Sequence, residues 1–196
     1  TTLADPRFEA DDLIGSVLKQ ARGLGVRGII VSADKDLSQL LQGEDEQWDY
    51  ARQMRWNSAG VLERYGVHAH QIADYLGLAG DAVDNIPGVP GIGNKTAAAL
   101  LAHFGSLDTL LQRLDELPFL RIRGAASHAR RIAEHRDTAL LSRELATICC
   151  DADLPQPLPL HPAAPDDSRL QELCEQFRIG PMTRRRLAQW SQALTR

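Results

Sequence analysis

Three short runs of acidic residues carry the side chains best suited to chemistry: Glu9, Asp11 and Asp12; Asp34 and Asp36; Asp81 and Asp84. Asp81 and Asp84, at i and i+3, share a face if their segment is helical. Asp34 and Asp36 directly follow the apolar run Ile29 to Val31, the end of a strand where parallel sheets collect functional residues. Glu9, Asp11 and Asp12 open a helical pattern. Taken singly, each run has a plain explanation, since acids near a helix start suit its dipole and surface carboxylates are common. Brought into one site they repel each other unless hard cations sit between them. Two Mg²⁺ ions about 4 Å apart would stabilise the attacking and leaving oxygens of a phosphodiester displacement.

The second pattern follows Asp84. In GVPGIGNK, Gly88, Gly91 and Gly93 stand where tight turns and close backbone approach are useful. Gly91, Gly93, Asn94, Lys95 and Thr96 lead into a helix whose first N–H groups are free to receive a phosphate. This is a helix-hairpin-helix in outline, and such a hairpin reads the DNA backbone, so binding would be insensitive to base sequence. An ordinary Gly/Pro turn between core helices is the other reading of a GxG pair, and the length of the string PGVPGIGNKTA favours DNA.

These groups need elements to hold them. Leu13, Val17, Leu18 and Ala21 predict a helix over 9–22, ended at Gly23 and Gly25. Residues 28–33 predict a strand, followed by a turn and then Leu37, Leu40 and Leu41 at helical spacing. EQWDYARQMRW alternates as a strand or hairpin, with Trp48, Tyr50 and Trp56 expected in the core. Asn57 or Ser58 caps a helix closed by Tyr65 and Gly66, and HAHQIADYLGL makes another, with His68 and His70 as surface or capping residues. NKTAAALLAHF has high helix propensity, Ser106 caps LDTLLQRL, and residues 127–150 read as one long amphipathic helix. LPQPLPLHPAAP reads as a linker, and helical patterns over 167–178 and 182–194 finish the chain. So few strands cannot satisfy a parallel sheet, so the sheet is expected to be very small or to lack an N-terminal part.

With 196 residues, 43% hydrophobic and 24% charged, composition is that of a globular protein. No apolar run approaches membrane-span length, and no secretory leader pattern is present, which reads as intracellular. The net charge of −4 excludes coating of nucleic acid by bulk electrostatics, so any DNA contact must be local. Cys149, Cys150 and Cys174 have neither CxxC spacing nor an even number, suggesting core thiols rather than a zinc site or disulfide framework. Arg121, Arg123, Arg130, Arg131 and Arg136 could track duplex phosphates or form a solvated helix face, while TRRRLAQW is expected to be a solvated helix end.

EADD, SADKDLSQLL and GLAGDAVDNIPGVPGIGNKTAAALL resemble the 5′ nuclease family, which includes the 5′-3′ exonuclease domain of bacterial DNA polymerase I and the stand-alone flap endonucleases. The resemblance runs from about Glu9 to Pro155, with TICCDADLP matching a strand-like stretch, and fades over the last 40 residues. It implies an α/β fold, an incomplete 5′ nuclease (PIN-like) parallel sheet over 1–66 followed by an all-helical helix-hairpin-helix domain over 67–150, then a connection over 151–165 and a helical tail. It also implies a bacterial, cytoplasmic, monomeric enzyme acting on 5′ ends or flaps of DNA. Glu9 and Asp11, with Asp12 beside them, match the first Mg²⁺ (or Mn²⁺) site; Asp34, Asp36 and Asp81 match the second, with Asp84 as an additional carboxylate. Glu9, Asp11, Asp34, Asp36 and Asp81 are thus the expected catalytic set, acting as metal ligands without a side-chain nucleophile. The family hairpin binds K⁺ through backbone carbonyls, here those of Val89 and Ile92.

One departure stands beside the match. The family carries two further aspartates and a basic helical arch ahead of the EADD motif, and Thr1 to Phe8 contain neither. The expectation is an N-terminally truncated nuclease, closer to a stand-alone protein than to part of a polymerase, that binds DNA weakly and cleaves it poorly. The alternative from another class is a non-catalytic, structure-specific DNA-binding module.

Overall fold

The computed structural model describes residues 2–156 and 166–194. Most of the expected Pro-rich connection, residues 157–165, lies outside the described residues. The chain divides into two compact units, Thr2–Leu154 and a unit formed by Pro155–Arg196.

The larger unit begins with α1, Ala10–Gly23, capped by a reciprocal box in which the Glu9 side chain accepts from the Asp12 N–H and the Asp12 Oδ2 accepts from the Glu9 N–H (3.1 Å). Leu13, Leu18 and Ala21 form its buried face. The sheet has three short strands: β1, Ile29–Ile30, runs parallel to β2, Glu46–Asp49, which pairs antiparallel with β3, Met54–Asn57. The predicted parallel sheet is therefore small, with one parallel and one antiparallel pair. Between β1 and β2 a 3₁₀ turn, Asp36–Leu40, buries Leu37 and Leu40.

Only part of the aromatic run is core. Trp56 is buried, Trp48 is half-buried under the Arg55 guanidinium (4.1 Å from the ring centroid), and Tyr50 is 61% exposed. The reason is the hairpin: Tyr50 opens the turn after β2, where Asp49 Oδ1 accepts from the Arg52 N–H at 3.0 Å, and its outer side has no covering layer among the described residues.

Helices follow. Asn57 caps α2, Ser58–Tyr65, by accepting from the Gly60 N–H, and Gly66 ends it at φ 73°. A 3₁₀ turn with His68 at its N-cap leads into α3, Ile72–Ala79, whose Ile72, Leu76 and Leu78 are essentially fully buried. It packs against α4, Asn94–Phe104, and α7, Arg136–Ala146. Ser106 caps α5, Leu107–Gln112, as expected. The long helix predicted over 127–150 is instead α6, Ala125–Glu134, and α7, parted at His135 (φ −113°, ψ 28°). After Ala146 the TICC stretch is not a strand. Three N–H groups along 148–152 are taken by side chains instead: Ile148 donates to Gln39 Oε1, Cys149 to Asp12 Oδ1 and Ala152 to Ser16 Oγ. Of the three cysteines only Cys174 is buried, and Cys149 is exposed.

The second unit holds α8, Asp167–Gln176, and α9, Pro181–Leu194. Arg184, from the basic run, donates to the carbonyls of Cys174 (2.8 Å) and Ile179 (2.7 Å), which closes the end of α8 rather than facing solvent. No helix among the described residues is long and apolar enough to cross a membrane.

Candidate active site and nucleic-acid interface

The three acidic runs converge. Glu9 and Asp11 from the start of α1, Asp34 and Asp36 from the loop after β1, and Asp84 line one cleft of about 420 Å³, with Ile86 and Leu145 as its apolar lining. Oxygens of Asp36, Asp81 and Asp84 lie within 4.8 Å of one another. Asp12 does not join them: its Oδ1 accepts from the Cys149 N–H (2.8 Å) and its Oδ2 from the Glu9 N–H (3.1 Å), so it fixes the start of α1 to the segment after α7.

Each carboxylate is held by a local device. Asp81 and Ile86 exchange backbone hydrogen bonds (2.8 and 2.7 Å) across a tight loop, and Asp81 Oδ1 accepts from the Val83 N–H at 3.0 Å. The loop presents Asp84 at its tip. Asp34 Oδ1 caps the next turn through the Asp36 N–H (3.0 Å), and its carbonyl accepts from Nε2 of Gln47, as does the Ser32 carbonyl (3.2 Å). Gln47 is fully buried on β2 and is itself oriented by Ser38 Oγ, which donates to its Oε1 at 2.7 Å, with the Trp56 indole donating to Ser38 (3.1 Å). A buried side-chain network therefore locks the Asp34 loop.

The electrostatics show the strain of the gathering. Burial, reinforced by repulsion from Asp34, Asp81 and Asp84 and opposed by Lys35, pushes Asp36 up to about 7. Burial and then the charges of Asp34, Glu9, Asp12 and Asp84 raise Asp11. Asp84 is raised first by its hydrogen bond with Asp81 and then by burial and the charges of Asp81 and Asp34. For Asp81 burial acts upward, but hydrogen bonds from Lys35 and Val83 and with Asp84 outweigh it and lower the group. Lys35 lies outside the residues that the sequence marks as candidates, yet its Nζ pairs with Asp81 and lies 4.0 Å from Asp36 Oδ1. That Oδ1 is buried and has no hydrogen-bond partner. A cluster of hard oxygen donors with one oxygen unsatisfied fits a hard divalent cation such as Mg²⁺ or Mn²⁺.

The hairpin follows directly. A Cβ on Gly88 would stand 2.6 Å from the Gly80 Cα, so both ends of the acidic loop meet backbone to backbone, at φ 60° and 74°. Gly88 donates to Ser142 Oγ (3.0 Å) and Val89 to the Leu78 carbonyl (2.9 Å), tying the hairpin to α7 and α3. Val89 and Ile92 are buried, while Pro90, Gly91 and Gly93 remain exposed. Gly93 is the N-cap of α4 and provides no side-chain cap. The N–H groups of Asn94, Lys95 and Thr96 precede the first intrahelical bond, from Ala97 to the Gly93 carbonyl (2.9 Å). Of the arginines noted in the sequence, Arg130 reaches Glu134 (3.7 Å), whereas Arg131 crosses from α6 to lie on Gly91, its Nη1 3.5 Å from the Pro90 carbonyl.

Comparison with known proteins gives the same outline. Residues 1–66 match the family model described as 5′-3′ exonuclease, N-terminal resolvase-like domain, and residues 67–168 match 5′-3′ exonuclease, C-terminal SAM fold. The chain is 42% identical over 147 residues to DNA polymerase I of Pseudomonas aeruginosa, covering 74% of this chain and 16% of that protein. It is 39% identical over 152 residues to DNA polymerase I of Bacillus subtilis, covering 76% of this chain and 17% of that protein. It thus spans about a sixth of the length of these relatives. Among solved structures, bacteriophage T5 5′-exonuclease with bound zinc superposes with a TM-score of 0.65 at 23% identity, covering 76% of this chain and 53% of that one. The T5 flap endonuclease in a pseudo-enzyme–product complex with DNA and metal ions gives 0.63 at 23% identity, covering 74% and 52%.

Proposed function

This chain belongs to the 5′-3′ exonuclease family, and from that membership we propose that it is the DNA-hydrolysing part of a divalent-metal-dependent 5′ nuclease acting on 5′ ends and flaps. The observation that carries the proposal is the single cleft into which Glu9, Asp11, Asp34, Asp36 and Asp84 open, with Asp81 beside Asp36 and Asp84. Asp36, Asp81 and Asp84, with Asp34 on the same side, would hold one Mg²⁺ or Mn²⁺, and Glu9 and Asp11 would contribute to a second. When bound, these ions would supply an activated water and neutralise the oxygen charges of phosphodiester displacement. The carboxylates themselves bind and orient. The Gln47 network keeps Asp34 in place.

The hairpin would hold the duplex by its backbone. Burial of Val89 and Ile92 leaves Pro90, Gly91 and Gly93 as the exposed surface, and the helix start at Asn94, Lys95 and Thr96 suits a phosphate. Gly93 has an ordinary φ, and a Cβ placed on it would meet nothing within 4 Å, which leaves room for close approach of a DNA strand. The Val89 and Ile92 carbonyls would hold K⁺, which would supply positive charge toward that phosphate. DNA and metal ions in the T5 complex support the same pairing of cleft and hairpin here.

A labelled 5′-flap duplex incubated with Mg²⁺ and K⁺, or with chelator, tests the proposal when cleavage and retention are read in the same samples. Weak Mg²⁺-dependent cleavage that Asp81→Asn removes, with flap retention unchanged, is the expected outcome. Retention without cleavage under any metal would favour a non-catalytic DNA-binding module.

A further inference from the structure

We infer that Lys35 is an internal counter-cation of the acidic cleft, seated among Asp36, Asp81 and Asp84, and that a divalent ion enters only as the Lys35 ammonium leaves. The inference rests on the metal reading of the cleft and adds a residue to it.

Three observations converge on Lys35. Its Nζ pairs with Asp81, which is 5% exposed at the side chain, and the same nitrogen is 4.0 Å from the buried, otherwise unpartnered Oδ1 of Asp36. These are two of the three residues whose oxygens come within 4.8 Å of one another. The ammonium thus occupies the side of the cluster shared by Asp36 and Asp81. It supplies one positive charge where three carboxylates would otherwise face each other in a partly buried site. Finally, the Lys35 side chain is itself 32% exposed, so its four-carbon stem has an outlet to solvent and the head can be displaced without unfolding.

An ammonium and a divalent ion cannot share those oxygens, since a hard cation requires direct contact at about 2.0–2.6 Å. Lys35 is therefore a competitor that sets metal affinity: it steadies the metal-free cleft and must be expelled when the ion binds. Once expelled it remains beside the cleft as a positive charge available to an incoming phosphate.

Two measurements on the 196-residue chain test this. Titration of Mn²⁺ into wild type and Lys35→Met by calorimetry should show binding by the variant that is tighter on the order of tenfold, because one competing charge is gone. Amine labelling of the wild type, quantified residue by residue by mass spectrometry, should show Lys35 becoming several-fold more reactive on addition of Mg²⁺ while Lys95 stays constant. The labelling needs no variant and so does not depend on Lys35→Met folding. Wild type that binds Mn²⁺ while the variant binds no tighter, or Lys35 labelling that does not rise, overturns the Lys35 inference alone. Absence of Mn²⁺ binding by both proteins overturns the metal reading as well.

Discussion

Gly80 and Gly88 touch backbone to backbone, with the Gly80 Cα 2.6 Å from where a Gly88 side chain would begin. This contact closes the loop that carries Asp81 and Asp84 and at the same time starts the hairpin that carries Gly91 and Gly93. Acidic cleft and DNA-facing hairpin are therefore two ends of one short backbone device.

Gly88→Ala should then damage both. The substitution meets backbone atoms on the far side and sits at φ 60°, so a loss of about 2–4 kcal/mol in folding stability is expected. Urea unfolding gives the cost. A smaller loss, under about 1 kcal/mol, would mean that the loop ends relax apart.

Gln47→Leu should act on the cleft from a distance. The substitution strands the carbonyls of Ser32 and Asp34 and the hydroxyl of Ser38, groups that Gln47 serves from a fully buried position. About 3 kcal/mol of stability is expected to go, together with several-fold weaker Mn²⁺ binding, since the Asp34 loop loses its anchor. Unchanged Mn²⁺ affinity in a folded Gln47→Leu protein would show that the network supports the fold only.

The pH dependence of the metal-free protein follows from Asp36. With the folded group raised to about 7 from its ordinary value of 3.8, the folded chain retains a proton that the unfolded chain has released between those values. Stability must therefore fall as pH rises through that window and level off above it. Urea midpoints in chelator should show this decline, and Asp36→Asn should remove the part due to Asp36. Parallel profiles for wild type and Asp36→Asn would contradict the assignment.

Arg131 on the hairpin predicts a salt effect. Arg131→Gln removes one positive charge lying on Gly91, so flap affinity should drop uniformly across base sequences and the slope of log affinity against log salt should shrink by about 1. Binding assays at a series of KCl concentrations measure it, and an unaltered slope would place Arg131 outside the DNA contact.

The acidic runs were legible because each is local: spacing within a few residues is enough to mark Asp34 with Asp36, or Asp81 with Asp84. Caps were legible for the same reason, as at Asn57 and Ser106. What failed was whatever depends on distant partners. The pattern over 127–150 stays amphipathic through His135, so the break between α6 and α7 left no mark in it. The TICC stretch is extended as a strand would be, but Asp12, Gln39 and Ser16 supply its hydrogen bonds from more than a hundred residues away. Tyr50 shows that alternation marks two faces without saying which one is covered. Nothing in its own segment marks Lys35, and only the approach of Asp81 from 46 residues further on makes it part of the cleft.

The most direct measurement is anomalous diffraction from crystals of this chain soaked in Mn²⁺. A Mn²⁺ peak bounded by Asp36, Asp81 and Asp84 is expected, with the Lys35 ammonium withdrawn from Asp81. Mn²⁺ found only at surface carboxylates, with Lys35 still paired to Asp81, would contradict it.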